Sequence, residues 1–194
     1  LTSSEGTVAI GMNAMGGGVT TGSNNIVIGN NAASSTTSGY ANIVIGTEAL
    51  EACTTGNKNV SVGRKSLRYN TGMFNTAIGI YASEKNLGGQ NNVAVGFWTL
   101  KNNESGNSNT AVGADALANN TGSENTAIGR YASEKNLSGQ SNSAVGYEAL
   151  RNNESGSNNI AIGNKALRDV DNNLSNNIAI GAFSMINAKT SSNN

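Results

Sequence analysis

A short segment, Asn-(Thr/Ile/Val)-(Ala/Ser/Val)-(Ile/Val)-Gly, recurs along almost the whole chain, and nothing else constrains its fold as strongly. Its glycines are Gly11, Gly29, Gly46, Gly63, Gly79, Gly96, Gly113, Gly129, Gly146, Gly163 and Gly181, spaced 16 to 18 residues apart. A fixed period of this kind marks a stacked repeat architecture, because one unit of that length cannot bury its own apolar face. A second glycine column runs from Gly22 and Gly39 to Gly139 and Gly156, each seven residues before the next motif glycine. The seven-residue arc between the columns never varies from Gly22 to Gly163. The return arc takes 9 or 10 residues. The invariant arc therefore reads as packed strand, and the variable arc as the carrier of an exposed turn.

Within the motif, β-branched residues alternate with small ones, which is a strand signal. The residue before each glycine is always Ile or Val. Ile28, Ile45, Val62, Ile78, Val95, Val112, Ile128, Val145, Ile162 and Ile180 are accordingly expected to form the repeat core. Asn fills the first motif position in ten of eleven turns, from Asn25 to Asn177. Two readings of it stand side by side: a ladder of amides stacked one strand spacing apart, or a turn residue chosen for local backbone bonding. Three and four residues past the glycine come pairs such as Ala49-Leu50, Ser66-Leu67 and Ala116-Leu117, expected to be a second strand. Ser83 and Ser133 replace that Leu in two turns, and Leu87 and Leu137 follow four residues later. These leucines are expected to refill the core. The glycines mark corners that need positive φ or close backbone approach. A longer period is superimposed: residues 81–87 return at 131–137, fifty residues or three turns on.

The sequence thus predicts an all-β fold, a parallel β-solenoid of about 11 turns of 16–18 residues. At about 4.8 Å per stacked strand it is a rod roughly 50 Å long. Its organisation is a leading segment 1–6, a repeat domain 7–185, and an exit segment or linker 186–194. The core available to each turn is thin, so partner chains are expected to cover part of it, and the solenoid is predicted to be a homo-oligomer.

Composition narrows the chemistry. The chain has no His and no Pro, a single Cys, 12% charged residues and a net charge of +0. Without histidine it lacks the residue most used for acid–base work near neutral pH and the commonest transition-metal ligand. Neutrality gives no basic face for nucleic acid. No apolar run is long enough for a membrane helix. Gly11–Gly18 is glycine-rich but lacks the Lys-Ser/Thr of a phosphate loop. Glu104 and Glu154 lie three turns apart, roughly 14 Å by strand spacing, beyond the 5–9.5 Å of a glycosidase pair. No catalytic residue, metal or cofactor is expected.

Two residues past the motif glycine runs a column expected to face outward, in which Glu48 neighbours Lys65 and Glu148 neighbours Lys165. Tyr81, Trp98 and Tyr131 stand in the same column. They are either a glycan or receptor contact, since aromatic faces stack on sugar rings, or packing at strand corners and subunit contacts. Cys53 takes a loop position held by Asn70 and Asn120 in other turns, and is read as an incidental free thiol.

Asn-Thr-Ala-Ile-Gly at 75–79 and Asn-Val-Ala-Val-Gly at 92–96 resemble the YadA-like head repeat of trimeric autotransporter adhesins and bacteriophage tail fibres. The resemblance covers residues 7 to about 185. It implies a left-handed β-roll, three chains joined as a homotrimer, and a role in attachment to a surface. The turns here are longer than the family's usual repeat, with added Asn-, Ser- and Thr-rich loop residues, and look more like those of tail fibres. The resemblance points to an extracellular, non-enzymatic segment of a phage or phage-like tail fibre taking part in host-cell adhesion. The alternative is the head of a bacterial cell-surface adhesin that binds host matrix or glycans. The partners implied are further copies of the chain and a cell-surface glycan or protein receptor.

Overall fold

The computed structural model describes residues 5–17, 21–169 and 174–187. Most of the leading segment 1–6 and of the exit segment 186–194 lies outside them. Eleven three-residue strands stack in chain order: β1 (Val8–Ile10), β2 (Ile26–Ile28), β3 (Ile43–Ile45), β4 (Val60–Val62), β5 (Thr76–Ile78), β6 (Val93–Val95), β7 (Thr110–Val112), β8 (Thr126–Ile128), β9 (Ser143–Val145), β10 (Ile160–Ile162) and β11 (Ile178–Ile180). Every neighbouring pair is parallel and in register, so that Ala94 of β6 sits on Ala77 of β5 and Ala111 of β7. The fold is a parallel β-solenoid with one strand per turn.

The strand presents its faces opposite to the sequence expectation. The middle residue points inward: Val27, Val44, Ser61, Ala77, Ala94, Ala111 and their counterparts in β8 to β11 are fully buried, while Ala9 of the end strand β1 is exposed. The flanking residues point out. Ile28, Ile45, Ile78, Ile128 and Ile162 are 36–42% exposed, Val112 and Ile180 are exposed, and Val62, Val95 and Val145 are half-buried. The residues expected to form the repeat core are therefore not the core of the single chain. The reason is the narrow interior. Ser61 Oγ lies 2.6 Å from Ser66 Oγ on the facing limb of its own turn. An interior that thin takes Ala or Ser, with Val at β2 and β3, and turns the larger Ile outward.

The facing limb is not the second strand that its Ala-Leu pattern suggested. The second and fourth residues after each motif glycine are left-handed: Lys65 and Leu67 have φ of +57° and +46°, Trp98 and Leu100 +55° and +51°. An extended strand cannot form through such residues. Non-glycine residues in this region carry strain of about 1–2 kcal/mol each. Hydrogen bonds to the adjacent turns offset it: Trp98 N–H donates back to Ile80 O, and Leu100 N–H donates forward to Ala116 O. The limb still supplies the larger part of the core, with Leu50, Leu67, Leu100, Leu117, Leu150 and Leu167 stacked and fully buried. Ser83 and Ser133 lie buried within this column, while Leu87 and Leu137 are 46% and 48% exposed. The exposed leucines do not refill the core, because they fall on the outer loop beyond the limb.

The two glycine columns serve different ends. At Gly63, φ is +130° and a Cβ would come within 2.6 Å of the Gly79 carbonyl carbon in the next turn. At Gly39, φ is not left-handed, and the need is for space alone: a Cβ would lie 2.7 Å from Gly56 O. Each excludes a side chain because the backbone of the following turn stacks directly upon it.

Asparagine fills the remaining interior. The motif Asn forms the ladder: Asn109 Nδ2 donates to Gly122 O at 2.9 Å, and its Oδ1 accepts the N–H of Asn125 at 3.0 Å. The same bonds repeat from Asn25 to Asn159. The ladder binds side chain to the backbone of the next turn, so the purely local turn reading is displaced. A second buried ladder, invisible to the motif, joins Asn70, Asn86, Asn103, Asn120, Asn136 and Asn153, with amide-to-amide distances of 2.7–3.3 Å. Cys53 occupies the next place in that column and ends it. Loop length varies just beyond this ladder: Asn70 is two residues from its glycine, Asn86 three.

Candidate binding face

The outer surface of the facing limb carries the charged and aromatic columns. Left-handed φ at the second residue of each limb swings that side chain outward, so residues one period apart lie side by side. Tyr81 and Trp98 are brought together, with ring centroids 6.5 Å apart and planes at 57°. Phe97 stacks on the Trp98 indole at 4.6 Å. Tyr131 is not part of this cluster. Asp115 intervenes in the column, and Tyr131 instead meets Tyr147 edge-on at 6.4 Å.

Cations cover these rings. Lys101 Nζ lies 4.6 Å from the Trp98 centroid and 5.7 Å from that of Tyr81. Arg130 and Arg151 lie 4.5 and 4.7 Å from the Tyr131 ring, and Arg130 also donates to the Tyr131 hydroxyl at 2.8 Å. Such contacts contribute about 0.5–1 kcal/mol each at exposed sites. Tyr131 is thus held by structural partners, whereas Trp98 remains 39% exposed.

The expected ion pairs form: Glu48–Lys65 at 3.5 Å and Glu148–Lys165 at 3.8 Å. A second charged column, five residues past the glycine, was missed. It pairs Glu51 with Arg68 at 2.5 Å, Glu84 with Lys101 at 4.0 Å and Glu134 with Arg151 at 2.6 Å. Aligning the turns on the motif glycine would have shown it. Glu148 draws the most partners, adding Arg151 at 3.0 Å and Arg168 at 3.3 Å. Burial opposes its ionisation, but the hydrogen bond with Tyr147 and the Arg151, Arg168 and Lys165 cations outweigh burial and hold its carboxyl below the ordinary range. Asp115 moves the other way, raised by burial and then by the charge of Glu134.

Cys53 is buried, and that burial pushes its thiol up to about 11, so it stays protonated and unreactive near neutral pH. Among the described residues no group of three or more His, Cys, Asp or Glu could hold a metal ion, and no helix is long and apolar enough to cross a membrane.

The chain matches no family model, no curated protein and no solved structure.

Proposed function

We propose that the chain is a non-enzymatic structural and attachment segment of a homotrimeric extracellular fibre, joined through the outer face of its strands. The observation that carries this reading is the exposed aliphatic stripe. Two side chains per strand, mostly Ile and Val, stand outward on eleven stacked strands. The stripe is therefore about 50 Å long. Contiguous apolar patches beyond a few hundred Å² mark interaction surfaces. The stripe is in register from strand to strand, which suits a copy of itself, and the thin interior leaves each turn short of buried aliphatic surface. Three such faces meeting on one axis would form a second apolar core beside the thin one inside each chain.

The repeat's resemblance to adhesin heads and tail fibres supports three chains, a left-handed roll and a role in attachment. Its longer turns favour a phage or phage-like tail fibre engaged in host-cell adhesion. In that role the rod projects and spaces a contact surface, and its columns of paired charges hold register.

Light scattering coupled to size-exclusion chromatography tests the assembly. The expected mass is three times that of the chain, and Ile78→Lys with Ile128→Lys is expected to yield monomers or unfolded chain. A folded wild-type monomer would refute the proposal.

A further inference from the structure

The charged column five residues past the motif glycine has one interruption. Glu51, Arg68, Glu84 and Lys101 precede it, Glu134, Arg151 and Arg168 follow it, and Ala118 stands between. The ion pairs respect the break. Lys101 pairs back to Glu84 and Glu134 pairs on to Arg151. No side chain from the column fills the step at Ala118, and an open depression of about 230 Å³ lies there.

Three consecutive turns build it. Trp98 and Lys101 form one wall and Glu134 the opposite one, with Asp115 at one side and Asn102 and Asn119 at the other. Two turns separate Lys101 from Glu134, about 10 Å by strand spacing, the breadth of one six-membered sugar ring with its hydroxyls. The polar groups are held in place beforehand. Asn102 Nδ2 donates to Asn119 Oδ1 at 3.0 Å, and Asn119 Nδ2 to the Glu134 carbonyl at 3.3 Å. Phe97 fixes the indole plane from beside the notch.

We propose that the notch at Ala118 binds a single uncharged pyranose. The indole, with Phe97 stacked on it and the Lys101 ammonium over its ring, stands beside planar amide and carboxylate groups, and this lining suits a ring with a rim of hydroxyls. Asp115 makes no ion pair among the salt bridges of the described residues, and its carboxylate accepts from adjacent hydroxyls, with the Asn119 amide beside it. The same lining excludes sugars that carry a carboxylate. Lys101 and Glu134 are each held in an ion pair, with Glu84 and Arg151 respectively, which leaves the Asp115 carboxylate as the uncompensated charge of the notch. The strand stripe lies across the thin core from this limb, so oligomerisation through the stripe leaves the notch open. The inference goes beyond the fibre reading and does not depend on the number of chains.

Trp98 is the only tryptophan, so its emission reports on the notch alone. The full chain, in whatever assembly it forms, is titrated with the methyl glycosides of glucose, galactose and mannose, and with glucuronic and N-acetylneuraminic acids. At least one neutral glycoside is expected to shift Trp98 emission saturably at millimolar concentration, and neither acid to do so. Ala118→Arg puts into the notch a side chain that the column already accommodates at Arg68 and Arg151. It is expected to weaken the response at least about tenfold, or 1.4 kcal/mol, with the circular dichroism and mass of the wild type. The proposal falls if no neutral glycoside gives a saturable shift up to about 100 mM, where millimolar sites are full. It falls equally if the acids bind as well, or if Ala118→Arg responds like the wild type.

Discussion

Replacing Asn109 by Ala separates a stacked ladder from a row of independent turn residues. Asn109 is fully buried. Its loss leaves Gly122 O still bonded to Asn120 Nδ2 at 2.8 Å, and Asn92 Oδ1 still bonded to the N–H of residue 109 at 2.9 Å. What is stranded is the N–H of Asn125, whose acceptor was Asn109 Oδ1. A buried donor left unpaired costs about 1–3 kcal/mol, and the side chain's own lost bonds add to it. The expected destabilisation is about 2–4 kcal/mol. Asn177 is the contrasting position. It stands in the last strand's turn, and its Nδ2 donates to Asn159 Oδ1 and Ser175 O, both at 2.9 Å. Asn159 Oδ1 keeps the backbone N–H of residue 177 as a partner, so Asn177→Ala is expected to cost less than about 1 kcal/mol. Urea unfolding followed by circular dichroism, at one fixed protein concentration because assembly shifts apparent stability, gives both values. Amide exchange at Asn125 gives the site-specific check, since its protection should fall in Asn109→Ala. Equal costs at the two positions, or unchanged protection at Asn125, would refute the ladder as the source of stability.

Two further outcomes are expected. Cys53→Asn should extend the second ladder to Asn70 Nδ2, because residue 53 is three residues from Gly56 just as Asn86 is from Gly89; a gain of about 1 kcal/mol in the same unfolding assay is expected, and a loss would contradict the shared geometry. For Glu148, whose folded carboxyl titrates below its ordinary range, the stabilisation is present above the unfolded value near 4.3 and is lost as pH falls through the lower folded value. Glu148→Gln should therefore be less stable than wild type at pH 7, and the gap should close toward pH 3; a gap independent of pH would contradict this.

Much of the architecture was legible because it rests on backbone stacking. Where each turn lies directly on the last, the Gly39 and Gly63 positions admit no side chain, and that prohibition is written into the sequence as a period. The strands, their parallel order and the neighbours in the outward column, such as Glu48 with Lys65, follow from the period alone. The second Asn ladder was equally periodic, but it lies in the arc whose length varies, and its asparagines are hard to tell from ordinary loop residues until their amides are seen 2.7–3.3 Å apart. The candidate site was legible in part. Trp98 was picked out by its column, but Ala118 became informative only once Lys101 and Glu134 were seen to bond away from it.

The sequence by itself determined that the chain is a stacked solenoid, which residues align, and where the motif strands and glycine corners fall, but it marked as a second strand a limb whose backbone is left-handed. Only the tertiary structure decided which strand face is inside. Alternation defines two faces, and burial preference alone would assign Ile and Val to the core. The closeness of the facing limb reverses that assignment. With Ser61 touching Ser66 across the interior, there is room for Ala94 but not for Ile78, and the bulkier side chains are left outside as an exposed stripe.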